Sequence, residues 1–327
     1  MSGTSGILLV DKPAGITSHD AVSRTRKRAG TKKVGHAGTL DPMATGLLVL
    51  GINSSTRLLT YVVGLDKEYL ATIRLGASTV TDDREGDRLD QARTADIDAI
   101  APQAIVTEIA RLTGDIEQVP SAVSAIKVDG KRAYALVRAG ESVELRSRAV
   151  TVSAFDLLGT RRTTVDTATV DTAIVETPTG ADAEQAANAD TSYLDLDVRV
   201  ECSSGTYIRA LARDLGSALG VGGHLTALRR TRIGPFRVED AADLATMVVA
   251  NHLLSPADVA SALFPTIALD AQQVIDLTHG KRIRFSDTAD AAPVAALAPD
   301  GRLVGLLTID SGVGTPLVNF PTDEVTA

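Results

Sequence analysis

Asp41 is followed by Pro42 and preceded within six residues by Gly35, His36 and Gly38. Proline removes a backbone donor and pushes the residue before it towards an extended conformation. The glycines let a second backbone come close. A carboxylate on such a loop, directly after a strongly basic stretch, is a candidate nucleophile or general base. An Asp-Pro pair is equally the mark of an ordinary surface turn. Two further segments shift the balance. Lys67-Glu68-Tyr69 places an aromatic beside charges on a strand-like run, in a chain with only 3% aromatics and no Trp. Gly205-Thr206-Tyr207-Ile208-Arg209 puts an arginine at the start of a helix. Arginine can grip a carboxylate through two parallel hydrogen bonds. Tyrosine can stack on an extruded base and offers a phenolic oxygen. Together, carboxylate, arginine and aromatic suit chemistry on a nucleobase.

Other engines are missing. The sequence has no G-x-x-x-x-G-K-[ST] loop, no G-x-G-x-x-G after a strand, no H-E-x-x-H and no G-x-S-x-G. With five His and one Cys (Cys202), a metal site would need mostly carboxylate ligands, and no such cluster is evident. The expectation is a protein without metal or cofactor. The lone cysteine fits a reducing cytoplasm, and no apolar run approaches the roughly 20 residues that cross a bilayer.

The 327 residues carry a net charge of −8, which taken alone speaks against nucleic acid. The distribution differs from the sum. Residues 21–40 contain Arg24, Arg26, Lys27, Arg28, Lys32 and Lys33 and no acid. Lys127, Lys131, Arg132 and Arg138 form a second cluster, and Arg229, Arg230, Arg232 and Arg237 a third. Acids gather at Asp82, Asp83, Glu85, Asp87 and Asp90 and across 163–192. An anion-binding face on an acidic body is one reading; each cluster alone could be a solvated helix face.

Several elements must position these residues. Residues 6–10 read as a buried strand, and Thr17, Ser18 and Asp20 as caps of a helix reaching Ala29, stopped by Gly30. Residues 35–42 read as a glycine-punctuated loop, 46–52 as an interior strand, and Ser54 and Ser55 as caps of a short helix. Alternation predicts a strand over 67–75, and apolar spacing a helix over 97–112. Strands over 122–128 and 143–158 flank a helix over 131–139. The cleanest strand is 193–202, with Leu194, Leu196, Val198 and Val200 inward and Asp195, Asp197, Arg199 and Glu201 outward. A helix with Ile208, Leu211, Leu215 and Leu219 on one face follows it. The Thr/Ala/Asp-rich stretch 163–192 reads as a surface insertion. From about 241 the chain becomes a small β-rich module with a helix over 256–263 and four cations against ten acids.

With those motifs in order, the chain resembles the TruB family of tRNA pseudouridine-55 synthases. The matching runs are GILLVDKP (6–13) with GITS (15–18), KVGHAGTLDP (33–42) with ATG (44–46), Lys67-Glu68-Tyr69, QVP (118–120) with SAIK (124–127), Gly130 and RAY (132–134), CSSGTYIR (202–209), and Leu228-Arg229-Arg230. They span about two-thirds of the chain. Ser121 departs from the family's habitual second proline, and 163–192 lies outside its common core.

The resemblance implies an α+β fold, the pseudouridine synthase fold, with a mixed, mainly antiparallel sheet and a central cleft. It implies a catalytic domain over 1–240 and a PUA-like RNA-binding domain over 241–327. Asp41 is then the catalytic carboxylate, Arg209 its partner, and Tyr69 the stacking aromatic and acid/base group. His36 would help open the T loop. Lys12, Tyr207 and Leu228 would line or support the pocket. Gly38, Thr39, Lys127, Arg132, Arg229 and Arg230 would meet RNA. The implied partner is the T-arm stem-loop of tRNA, with no membrane, no required protein partner and a monomeric state. A non-catalytic RNA-folding protein and a guide-RNA-dependent enzyme are the rival expectations.

Overall fold

The computed structural model describes residues 4–121, 127–128, 131–132, 146–165, 191–286 and 288–321. The chain divides into two compact units, Met1–Lys67 with Arg229–Ala327, and Glu68–Leu228.

The first unit is built on strand β1 (Gly6–Lys12), helix α1 (Ser18–Ala29), and strands β2 (Val34–Ala37) and β3 (Thr45–Ile52). Ile7, Leu8, Leu9 and Val10 are all buried, as are Leu47, Leu48, Val49 and Leu50. Both faces of these strands are thus covered, which explains their unbroken apolar runs. The two strands pair antiparallel from Gly6 with Ile52 to Lys12 with Gly46. Helix α1 starts and stops where local chemistry dictates. Thr17 and Asp20 form a reciprocal capping box, and Gly30 closes the helix in the left-handed conformation (φ 64°). One expectation fails here. Residues 34–37 are a strand paired with β3, from Val34 with Ile52 to Ala37 with Val49, so the loop begins only at Gly38. A second also fails. Residues Asn53–Leu58 form a 3-10 helix without a side-chain cap, followed by helix α2 (Leu59–Val63).

The second unit begins in strand β4 (Lys67–Leu75) and continues through strands β5 (Ala77–Thr79) and β6 (Arg88–Gln91), helices α3 (Thr94–Asp98) and α4 (Pro102–Arg111), and strand β7 (Gly114–Gln118). The single helix expected over 97–112 is two, because Pro102 opens a new helix at its first turn. Lys127–Val128 (β8) and Lys131–Arg132 (β9) pair antiparallel, so 131–132 is strand where a helix was expected. The expected strand at 122–126 and the helix over 133–139 lie outside the described residues, as does 166–190 of the insertion. Strands β10 (Arg148–Val165) and β11 (Thr191–Cys202) form a long antiparallel pair, with β7 on the other edge of β10. Helix α5 (Ile208–Ala218) follows, then strand β12 (Gly223–Ile233), whose last residues return to the first unit. Strand pairing is antiparallel for β1/β3, β2/β3, β7/β10 and β10/β11 and parallel for β3/β12. The sheet is therefore mixed and mainly antiparallel.

Residues 266–319 contribute a five-stranded sheet to the first unit, in the order Thr266–Ala268, Ala291–Leu297, Leu303–Asp310, Val313–Asn319, Ile283–Arg284. Helix Pro256–Leu263 matches its expected bounds, and a second helix, Ala271–Thr278, was not anticipated. Ala295, Leu303, Leu306 and Phe320 share one apolar core with Ile7, Leu9, Leu47 and Val49.

Candidate active site

In the first unit the site grows out of one edge of β3. Residues 49–52 of that edge pair with β2, whereas Thr45 and Gly46 pair in parallel with Arg229 and Arg230 of β12. The chain running from β2 into β3 therefore leaves the sheet where β12 takes over the edge, and that excursion is the loop from Gly38 to Ala44 carrying Asp41. Gly46 makes the changeover possible. It sits at φ 102°, and a Cβ there would lie 2.2 Å from the Arg230 carbonyl oxygen.

The loop is fastened through its main chain. Ser18, at the start of α1, accepts from the Leu40 N–H at 2.8 Å and donates to the Leu40 carbonyl at 3.2 Å. Gly15 N–H reaches the Pro42 carbonyl at 2.9 Å. The ammonium of Lys12, fully buried, donates to the carbonyls of Pro13 (2.9 Å), Ile16 (2.8 Å) and Pro42 (3.3 Å). Arg230, only 1% exposed, donates to Leu47 O at 2.8 Å and Gly38 O at 3.0 Å. Charged donors to carbonyls are worth roughly 1.5–3 kcal/mol each. Asp41 itself is half-buried and Thr39 is exposed.

One expectation about RNA contact changes accordingly. Arg230 is an interior brace of the loop and offers nothing to a phosphate. Arg229 is clasped by both oxygens of Asp11, at 3.0 and 2.6 Å. The alternation of β12 explains the contrast, since neighbouring residues on a strand face opposite sides. His36, on β2, is half-buried, and its Nδ1 has no hydrogen-bond partner among the described residues. Burial, and next the charge of Arg230, hold its pKa below the usual histidine value, so the ring is neutral at pH 7.

In the second unit, β4 alternates as its sequence requires. Lys67, Tyr69, Ala71, Ile73 and Leu75 are buried on one face. The opposite face is tied by charge. Glu68 receives Arg199 at 3.0 Å, Thr72 donates to Asp197 at 2.7 Å, and Arg74 grips Asp195 at 2.7 and 2.9 Å. Asp195 also accepts from Arg161 and Thr163 and is buried, so the outward position expected for it is itself covered.

Arg209 lies in the first turn of α5, 4% exposed. Its Nη1 donates to Thr81 O at 2.9 Å and meets Asp83 Oδ2 at 3.3 Å. Asp83 is fixed in turn by Thr81 Oγ1 (2.5 Å) and Glu85 N–H (3.0 Å). Helix α5 is held tightly from below. Gly216 touches the backbone of residues 222–223, where a Cβ would overlap at 2.2 Å. The peptide of Tyr207 is clasped at both ends by the Gln118 amide, which accepts from its N–H at 2.8 Å and donates to its carbonyl at 3.0 Å. Leu228, on β12, is buried. Lys127 and Arg132 lie on β8 and β9, and their side chains fall outside the described residues. Asp83, Gln118, Ser18 and Asp11 were not singled out for these roles. Asp83 belongs to the gathering of acids at 82–90, and only its pairing across 126 residues gives it a particular role.

Among the described residues no group of His, Cys, Asp and Glu could hold a metal, and no helix is long and apolar enough to cross a membrane.

Comparison with known proteins gives concordant matches. Residues 26–173 match the model of the TruB family pseudouridylate synthase N-terminal domain. Residues 209–267 match the tRNA pseudouridylate synthase B C-terminal domain, and 264–321 the C-terminal domain of tRNA pseudouridine synthase II. The tRNA pseudouridine synthase B of Leifsonia xyli subsp. xyli is 58% identical over 98% of each chain. That of Arthrobacter sp. strain FB24 is 51% identical over 98% of each, and that of Thermobifida fusca 50% identical over 96% of this chain and 98% of its own. Among solved structures, a Cbf5-Nop10-Gar1 complex matches at TM-score 0.65 and 23% identity, covering 98% of this chain and 87% of that one. An H/ACA RNP bound to a substrate RNA containing 2'-deoxyuridine matches at 0.64 and 22%, covering 97% and 86%. These two likenesses concern the fold.

Proposed function

The chain belongs to the TruB family of pseudouridine synthases, and from that premise we propose that Asp41, Arg209 and Tyr69 carry its reaction on the T-loop uridine at position 55. It is an isomerase, a tRNA pseudouridine synthase. The reaction breaks the bond from N1 of uracil to C1′ of ribose, rotates the base, and rejoins it through C5. N1 gains a proton and C5 loses one, so nothing is consumed and no cofactor or metal is called for.

Asp41 attacks the nucleoside as a carboxylate. To Arg209 we assign the role of keeping it charged and aimed, since a guanidinium favours the ionised form of a carboxylate partner. Tyr69 stacks on the extruded uracil and serves the proton transfers. Neutral His36 helps open the T loop. Extruding the base costs a few kcal/mol, offset by phosphate contacts and stacking. The observation that carries this reading is the fastening of the 38–44 loop. Four separate groups, on β1, α1, β12 and the segment between β1 and α1, hold the main chain around one carboxylate. Such investment suits a preorganised reactive group more than a surface turn.

The purified chain acts alone, as a monomer in the cytoplasm, without guide RNA or a protein subunit. Residues 241–327 serve as an RNA-facing module. The test incubates the protein with a bare T-arm hairpin. Pseudouridine is expected with the unmodified chain. Asp41→Asn is expected to bind equally well and turn over at least about 10⁴-fold more slowly. Undiminished turnover by Asp41→Asn removes the carboxylate from the mechanism, and a requirement for added RNA or protein removes the stand-alone reading.

A further inference from the structure

We infer that the outer face of α1 and the turn into β2 form an extended phosphate-binding surface that grips the RNA backbone away from the reacting uridine. The inference rests on the RNA-modifying reading above and adds a second point of attachment to it.

Arg24, Lys27, Lys32 and Lys33 are all exposed, and none makes an ion pair among the described residues. This contrasts with five described arginines of the second unit, four of them exposed and Arg199 half-buried. Arg93, Arg111, Arg161, Arg162 and Arg199 each meet a carboxylate. The remaining two cations of the segment bind main chain only. Arg26 donates to Val34 O, and Arg28 to Leu244 O and Ala245 O. Their charge is therefore not cancelled by an acid. The one acid of α1, Asp20, is engaged by Thr17 N–H and Oγ1 in the capping box; it feels the charge of Arg24 one turn away but makes no ion pair with it. In a chain of net charge −8, six cations within ten residues, none ion-paired among the described residues, form a local positive field.

Position gives the field a use. The first residue of α1, Ser18, is bonded to Leu40 beside Asp41. At 1.5 Å per residue, Arg24 and Lys27 stand about 9 and 14 Å along the helix from that point. Lys33 precedes β2, whose four residues lead back to Gly38 over about 13 Å. Arg24 and Lys27 are three apart, so they share a face. The cations consequently fall beside the strand flanking the target and not on its base. Compact, mobile ammonium groups suit phosphates met without base readout.

The test measures RNA affinity against KCl from 50 to 200 mM, using Asp41→Asn as the background so that no turnover intervenes. Arg24→Gln, Lys27→Gln, Lys32→Gln and Lys33→Gln are introduced together, and as two pairs. For every phosphate that a removed cation no longer neutralises, the slope of log K against log salt flattens by about 0.7–0.9. The fourfold variant should flatten it by about 3 and weaken binding at least about tenfold, with each pair giving roughly half. Arg93→Gln with Arg111→Gln, which removes acid-paired cations, should leave the slope within about 0.5. Cutting the hairpin back to the loop and its closing pairs should remove the difference between the fourfold variant and its parent. An unchanged slope in a fourfold variant with the parent's circular dichroism overturns the inference, and is also what an acidic protein partner for this face would give. Pseudouridine formation by the unmodified chain is scored separately, so failure of the functional reading and failure of this one are distinguishable.

Discussion

Asp41 and Arg209, the two charged members of the proposed catalytic set, are secured by different means. Around Asp41, donors from Lys12, Ser18, Gly15 and Arg230 reach carbonyls of Gly38, Leu40 and Pro42, so the grip falls on the main chain. Around Arg209 the grip falls on the side chain itself, through the Asp83 carboxylate and the Thr81 carbonyl. A guanidinium has five N–H groups and can divide them among several acceptors, so part of its bonding can serve to place it. The loop of Asp41 is thus braced through its main chain, and Arg209 is placed in part by a partner built for it.

Four substitutions or conditions would break or sharpen that contrast. Arg209→Lys should be the most damaging, because a point charge cannot span Asp83 and a second acceptor. We expect turnover to fall about 100-fold or more with RNA affinity nearly retained, read by single-turnover kinetics. Asp83→Asn keeps the shape and removes the charge. Turnover should drop about 10–100-fold and stability by about 2–3 kcal/mol in urea unfolding, since a buried guanidinium loses its anion. A change in KM alone would show that Asp83 does not act through Arg209. Lys12→Met addresses the other half. It strips three carbonyls of their donor, and we expect about tenfold slower turnover and about 1–3 kcal/mol less stability. Full activity there would mean the loop is held without its main-chain braces.

The smallest effect concerns pH. Burial lowers the pKa of both His36 and His224. Unfolded histidines protonate as pH falls below about 6.5 while these two resist, so the unfolded state takes up more protons and stability falls with falling pH. The thermal midpoint should be lower at pH 5.5 than at 7.5, and His36→Gln or His224→Gln should narrow the gap. A gap unaltered in both variants would assign the pH dependence to other groups.

What the sequence made legible was local. The bounds of α1 follow from a capping box and a glycine stop, both within the segment itself. Strand β4 follows from alternation alone. Residues 34–37 were obscured by their own glycine, since nothing nearby announces that β3 will pair with them. Asp195 was read as solvent-facing because its covers, Arg74 and Arg161, are 121 and 34 residues away. Arg229 and Arg230 looked equivalent in sequence, and only the facing of β12 separates an ion-paired residue from an interior brace. The proposed site residues stand in local motifs, whereas the residues that brace them are defined by distant pairing and could not be read from the sequence.

The brace from Arg230 to Gly38 closes across 192 residues. During synthesis, Asp41 leaves the ribosome early, yet the strand that finishes its surroundings is among the later parts of the chain to be made. A nascent polypeptide halted at residue 228 would hold the Asp41 loop without this buttress. The bracing of that loop is consequently completed only once residue 230 of 327 has been made, so local order near the N-terminus waits on a contact of long sequence separation.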